Sequence, residues 1–283
     1  MKRLLSLLLA ALLLCALCAC SGGGTTPAPA DSTSTPAADS DLAYVTANKK
    51  MIIGYTVYEP MNYTDENGVF TGFDTELAQA VCAKLGVEPE FVIINWDTKE
   101  VALEAKDIDC IWNGLTLNAE REANMACTKP YVKNAQVVVV KDGFAYDGTA
   151  SLIGATVCAE IGSAGEEQIK GNYSDPEDPI DPEPNLAQAD YVGKSVQTDC
   201  LMEVAAGTAD AAVLDMTLAN SMTGEGTNYA DLSIVDYLAE ENYGVAFRKG
   251  SDIRDRVNEL FDAMRADGTL QALADKYGLE LAD

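Results

Sequence analysis

A chain of 283 residues is long enough to bury a full core in one large or two modest domains. Its 45 acidic against 19 basic side chains give a formal charge of -26, which repels nucleic-acid phosphate and anionic lipid and argues against both as partners. Histidine is absent altogether, so the commonest general base and the commonest metal ligand are missing; no cofactor is indicated, and an enzymatic reading is weakened.

In chain order, Lys2 and Arg3 precede an apolar run from Leu4 to Leu17, too short for a comfortable membrane span and read as the core of an export signal. The run closes in Leu17-Cys18-Ala19-Cys20, which resembles a bacterial lipobox: a leucine three residues before the cysteine and a small residue directly before it. The resemblance implies a signal peptide over 1–19 and lipid attachment at Cys20; the alternative is a cleaved secretory signal without lipid. Residues 20–41, rich in Gly, Ser, Thr, Pro and Ala, cannot build a core and read as a flexible tether.

Folded sequence is expected from Leu42. Met51 to Tyr55 reads as a strand leading into the aromatic loop Tyr55 to Pro60, Asp65 to Gly68 turns a hairpin, and Thr75 to Leu85 is an amphipathic helix ended by Gly86. Glu90 to Ile94 is the next strand, after which Asn95 caps a helix running to Ala105. Then comes DIDCIWNGLTLNAER (Asp107 to Arg121): a buried strand, a glycine at 114, Thr116, and a helix start at Asn118. A strand end that passes a glycine into a helix start presents free backbone N–H groups and a hydroxyl. With Arg121 added, such donors make a carboxylate receptor. Arg121, Thr116 and the backbone around Gly114 are the expected grip on the α-carboxylate of an amino acid; the plain alternative is a surface arginine paired with Glu122. Tyr131 to Val140 is a long β-rich run, and the β-α-β-α-β order predicts an α/β lobe with parallel strands.

The second half repeats the theme. Ala155 to Ala159 is a strand running through Glu160 to Gly165 into a helix. Asn172 to Asn185 is an acidic, proline-rich loop whose prolines spoil the spacing of a calcium loop. Thr198 to Ala206 is a helix and Ala209 to Leu214 a strand, with Asp215 at its end. Tyr243 to Phe247 is extended, and Asp252 to Ala266 and Thr269 to Tyr277 are helices whose simplest home is the first lobe. The chain then crosses between lobes twice, with 42–135 and 246–283 in lobe 1, 136–245 in lobe 2, and hinge strands near 135–140 and 243–247. Five cysteines lie beyond the signal (Cys82, Cys110, Cys127, Cys158 and Cys200); they read as small buried hydrophobes, with Cys110 and Cys127 a candidate pair.

The segments GVFTGFDTELAQAVCAKLGV, WDTKEVALEAKDIDCIWNGLTLNAERE, KPYVKNAQVVVVKDG, GTADAAVLD and FDAMRADGTLQALADKYG, in this order, resemble the amino-acid-binding (family 3) solute-binding proteins of ABC importers. The resemblance implies the two-lobe α/β type II periplasmic-binding-protein fold, each lobe a mixed sheet flanked by helices. It implies a monomeric extracytoplasmic receptor, anchored to the cell membrane through Cys20, that delivers a polar L-amino acid to ABC permease subunits. ATP is hydrolysed elsewhere, since the chain has no GxxxxGK[ST] phosphate loop. It further implies that Arg121 takes the carboxylate bidentately with Thr116 and the backbone near Asn113 and Gly114, that Ser163 closes on the same carboxylate, that Asp215 accepts the α-ammonium, and that Tyr58 and Trp96 stack on the ligand's aliphatic part.

Each residue also has a simpler role. Tyr58 and Trp96 suit a core, Asp215 suits a helix cap, and Ser163 suits a turn. Many relatives carry an acid between Gly54 and Tyr58; here the loop holds Tyr55, Thr56 and Val57. Glu160 stands where relatives often have Gln, and is open between bonding a ligand amide, pairing a basic side chain, and solvation. Trp112 either narrows the pocket or sits behind it. Two alternative functions use the same fold: a dehydratase-like enzyme with Glu160 as its acid, against which the missing histidine and Asp215 argue, and an adhesin or signalling lipoprotein with a ligand-indifferent cleft.

Overall fold

The computed structural model describes residues 40–174 and 179–283. The stretch read as an export signal, Cys20 and nearly all of the expected tether lie outside the described residues, as do positions 175–178 of the acidic loop. The tether ends sooner than expected. Ser40 accepts the Ala43 N–H at 2.9 Å and so caps helix α1 (Asp41–Asn48), whose acidic first residue suits the positive end of the helix.

The elements that follow are β1 (Lys50–Tyr55), the short pair β2 (Tyr63–Thr64) and β3 (Phe70–Thr71), α2 (Phe73–Leu85), β4 (Glu88–Ile93), α3 (Lys99–Glu104), β5 (Cys110–Thr116), α4 (Ala119–Asn124) and β6 (Ala126–Cys127). After them come β7 (Val132–Lys141), β8 (Thr156–Glu160), α5 (Ala164–Lys170), β9 (Asp190–Lys194), α6 (Gln197–Ala206), β10 (Ala211–Asp215), α7 (Met216–Met222), β11 (Leu232–Phe247), α8 (Ile253–Ala266) and α9 (Thr269–Tyr277).

One sheet runs through the molecule in the order β4-β1-β5-β11-β7-β10-β8-β9, with β6 beside β11. β4, β1 and β5 are mutually parallel in one half, and β10, β8 and β9 in the other. Between them β7 and β11 pair antiparallel from Leu232↔Lys141 to Tyr243↔Val132. β11 then goes on to pair with β5 as far as Phe247↔Cys110. These two strands join the two halves of the sheet.

Periodicity explains how the layers pack. Ile253, Val257, Leu260, Phe261 and Met264 form one apolar stripe on α8 at helical spacing, and that stripe closes the first half's core with Phe73, Leu77, Trp112 and Tyr131. In the second half, alternate residues of β7 serve opposite faces: Val137 and Val139 join one core, Val138 and Val140 the other. Trp112 is fully buried with its ring 5.8 Å from that of Phe261, which settles it behind the cleft. All five described cysteines are buried and free, so Cys110 and Cys127 do not pair.

Two strands exceed the sequence expectation. The sequence marks β11 only over Tyr243 to Phe247, but the strand begins at Leu232. Its first part carries half-exposed acids and two register shifts, which break the alternation that marks a strand. β9 is a short, partly exposed edge strand with a glycine in it, and gives little signal.

Candidate functional site

The site grows out of an irregularity in β5. Between Ile111↔Ala246 and Leu115↔Gly244 the register slips, so four steps of β5 stand against two of β11. The extra residues bulge out of the ladder and re-aim their side chains. Gly114 sits in the bulge with φ +54°, and an added Cβ would lie 2.7 Å from Tyr58 Cε1 and 3.1 Å from Tyr243 Cε2. Gly114→Ala is therefore expected to lower stability by about 2 kcal/mol, from a left-handed backbone and a displaced aromatic pair. Chemical denaturation of the ligand-free protein measures it, and an unchanged midpoint would mean the rings move aside freely.

The bulge also corrects one expectation. The Gly114 N–H is not free for a carboxylate ligand; it donates to Asp74 Oδ2 at 2.7 Å. Asp74, wholly buried at the start of α2, accepts the Tyr131 hydroxyl at 2.8 Å as well, and burial pushes its carboxyl up to about 7. Asn113 is likewise committed. Its side chain accepts the Thr56 N–H and hydroxyl at 3.0 and 2.7 Å and donates to Thr56 O and Asn62 Oδ1 at 2.9 and 2.7 Å, pinning the aromatic loop. The Thr116 hydroxyl donates to Glu241 Oε1 at 3.0 Å.

Asn118 caps α4 by accepting the Arg121 N–H at 2.9 Å, which plants Arg121 in the first turn. Arg121 is only 3 % exposed, and Glu122 is not its partner. Its Nη1 donates to Thr116 O at 2.8 Å, and its Nη2 reaches across to Gly162 O at 3.4 Å and Glu167 Oε1 at 3.5 Å. Gly162, with φ +74°, leaves only 3.0 Å between an added Cβ and Asp97 Cα, so the loops of the two halves meet there because no side chain intervenes. Lys99 Nζ spans the same seam, donating to Trp96 O at 3.2 Å and Gly162 O at 3.0 Å while lying 5.0 Å from the Trp96 ring centre. Burial, with Arg121 nearby, lowers its ammonium to about 8.

From the second half, Ser163 does cap α5, accepting the Glu166 N–H at 3.1 Å; among the described residues its hydroxyl hydrogen has no acceptor. Asp215 occupies the capping position of α7 but makes no capping bond. It accepts side-chain amide donors from Asn134 (3.0 Å), Gln136 and Gln197, while its own N–H goes to Gln197 Oε1 at 2.9 Å. Burial raises its carboxyl above the usual range, against the pull of Gln197, Glu241, Gln136 and Arg121. Glu160 is 3 % exposed, pushed up to about 8 by burial and by Asp215, and its Oε1 has no hydrogen-bond partner among the described residues. The Tyr58 hydroxyl meets those of Thr217 and, at 2.5 Å, Tyr243.

Tyr58, Trp96, Asn113, Gly114, Thr116, Arg121, Glu160, Ser163 and Asp215 all line one cavity, joined by Ala164 and Gln197. The cavity is about 10 Å³, room for a single water, so an amino acid enters only if the walls part. Sequence reasoning missed Gln197, Lys99, Glu241, Asn134 and Gln136. The last two had a signal: polar residues at alternate positions of an otherwise apolar strand share one face.

Residues 51–280 match the family model described as bacterial extracellular solute-binding proteins, family 3. The chain is 28% identical over 279 residues to the arginine-binding extracellular protein ArtP of Bacillus subtilis (strain 168), covering 98% of each. It is 29% identical over 226 residues to the L-cystine-binding protein TcyJ of Escherichia coli (strain K12), covering 78% of this chain and 79% of that one. Among solved structures, a mutant of ArgBP from T. maritima superposes with a TM-score of 0.74 at 28% identity, over 83% of this chain and 98% of that one.

Proposed function

Because the chain belongs to the bacterial extracellular solute-binding proteins, family 3, we propose that it is a membrane-tethered receptor that takes a polar L-amino acid between two lobes and delivers it to the permease of an ABC importer. One observation carries the reading: Arg121 from one half and Asp215 from the other line the same buried cavity. The lobes are 42–135 with 246–283, and 136–245. The tether is lipidated at Cys20.

Arg121 has five N–H donors and a rigid fork; with Nη1 spent on Thr116 O, the rest can turn to a carboxylate, helped by the spare hydrogen of Ser163. Asp215 exchanges amide donors for the α-ammonium. Tyr58 and Trp96 flank the carbon chain. Charge-assisted bonds of this kind contribute roughly 1.5–3 kcal/mol each, and several of them, less desolvation and ordering, leave about micromolar affinity. Closure then follows from contacts that only the closed form makes, the lobes swinging on β7 and β11.

Native mass spectrometry of the purified protein, followed by calorimetry across the natural amino acids, is expected to show one-to-one binding of at least one polar L-amino acid. A panel in which nothing binds would sink the proposal. The dehydratase reading draws on Glu160, since a carboxyl pushed up to about 8 is in the state a general acid needs. Product formed from arogenate or prephenate, followed by chromatography, would favour it.

A further inference from the structure

We propose that the bound amino acid carries a second positive charge, on its side chain, and that Glu160 is the residue that reads it. The inference rests on the binding reading above and adds the ligand's class.

Two acids line the cavity, Asp215 and Glu160, and a third, Glu241, shares donors with Asp215. Asp215 holds donors on both oxygens, Oδ1 from Asn134 and Gln136 and Oδ2 from Gln197. Glu241 Oε1, beside it, takes donors from Thr116, Asn134 and Gln136. Glu160 differs: it lines the cavity, is almost wholly buried, and its Oε1 has no donor among the described residues. A buried carboxylate oxygen without a donor is costly, and such an atom marks the place where a ligand group completes the site.

The nearby cations do not supply that donor. Arg121 is turned to Thr116 O and Gly162 O, and Lys99 to Trp96 O and Gly162 O. Among the described residues neither forms an ion pair with Glu160; the pair at this seam is Arg121 with Glu167. A zwitterion adds one negative and one positive group. The negative one goes to Arg121 and the positive one to Asp215, which leaves Glu160 facing the ligand's side chain. Beside a neutral side chain Glu160 stays protonated and gains no counter-charge, whereas a guanidinium or ammonium on the side chain ionises it and gives each acid its own counter-charge. The aromatic loop offers no rival acid in the cavity: Tyr55, Thr56 and Val57 hold the positions before Tyr58, and Glu59 after it lies outside the lining and accepts the Ser221 hydroxyl at 2.9 Å.

The groups facing Glu160 fix how this binding depends on pH. Asp215 at the end of β10 and Asp199 on α6 favour its neutral form, while Lys99 on α3 and the Gln197 amide on α6 favour the ionised one. Burial and Asp215 prevail and hold the carboxyl at about 8. A cationic side chain needs Glu160 ionised, so its binding expels a proton near neutrality. Affinity for it rises from pH 6 to about pH 8 and then levels off.

Calorimetry on the full chain with L-arginine, L-lysine, L-glutamine and L-citrulline, the neutral isostere of arginine, tests this at pH 6 and pH 8. Arginine or lysine is expected to bind at least about tenfold tighter than either neutral ligand, with more of the difference at pH 8. Glu160→Gln is expected to weaken the cation about tenfold or more, and to change citrulline by less than about threefold. Citrulline or glutamine binding as tightly as the cations to the unmodified protein overturns the inference and leaves the receptor reading standing. No amino acid binding at millimolar concentration overturns both. The ligand comparison uses the unmodified chain, so a poorly folded variant does not blunt the test.

Discussion

Arg121→Ala is expected to weaken amino-acid binding by at least about 3 kcal/mol, more than a hundredfold, because it leaves the ligand carboxylate buried without its counter-charge. The arginine is placed for this by a chain of local causes. The Asn118 cap fixes the first turn of α4, that turn aims the side chain back at β5, and the Thr116 carbonyl locks one arm of the guanidinium. Its ion pair with Glu167 is long, 3.5 Å, and so competes weakly with an incoming carboxylate. Arg121→Lys keeps the charge and loses the fork, and is expected to lose at least about tenfold. Calorimetry with the ligand found in the panel gives both values. An unchanged affinity in the alanine variant removes Arg121 from its role. The lysine variant guards against a merely unfolded protein, since it keeps a cation in the same buried space.

The ligand-free protein is expected to melt higher at pH 5.5 than at pH 7.5. Asp74 is pushed up to about 7 and Glu160 to about 8, both mainly by burial, and Asp215 is raised in the same direction. Such groups take up protons on folding. Their contribution is complete below the ordinary carboxylate value near 4, and is lost as pH rises to the folded values of about 7 and about 8. Each group changes stability by up to about 1.4 kcal/mol per pH unit in that window, so a loss of about 2 kcal/mol between pH 5.5 and 7.5 is a conservative expectation. That corresponds to roughly 5 °C in melting temperature for a domain of this size. Glu241 is also raised, but its side chain is partly exposed by surface area, and it carries less weight here. Differential scanning calorimetry across the range decides the sign. Glu160→Gln should make the slope shallower, which relief of general charge repulsion would not produce. A melting temperature that rises with pH would mean these carboxyls are ionised in the folded protein.

Much of this was legible because it follows from short-range rules. Helix α8 shows its stripe at i, i+4, i+7 and i+8, and the focal segment announces a strand, a glycine and a cap in fifteen residues. The residues carried over from the resemblance converge on one cavity. What stayed hidden depends on long-range placement. Gln197 looks like an ordinary first residue of α6 until β10 brings Asp215 beside it. Gly114 suggests a free amide, yet Asp74, forty residues earlier in the chain, takes that amide. Lys99 resembles any solvated helix residue until Gly162 arrives from the other half. The first part of β11 was invisible because its register slips erase the period by which strands are recognised.

The path of β11 bears on the order in which a growing chain can fold. The half that holds Arg121 has β1 beside β5 early, but lacks the second neighbour of β5 until residues 243–247 have been made, and lacks α8 and α9 until residue 277. The half that holds Asp215 has every one of its sheet partners by residue 242. Nucleation in the middle of the chain, with the amino-terminal part waiting for the carboxy-terminal part, reverses the usual sequence in which the first-made portion folds first. The wait spans pairings more than a hundred residues apart, which favours slow maturation and gives time for a chain to be handed over while still unfolded.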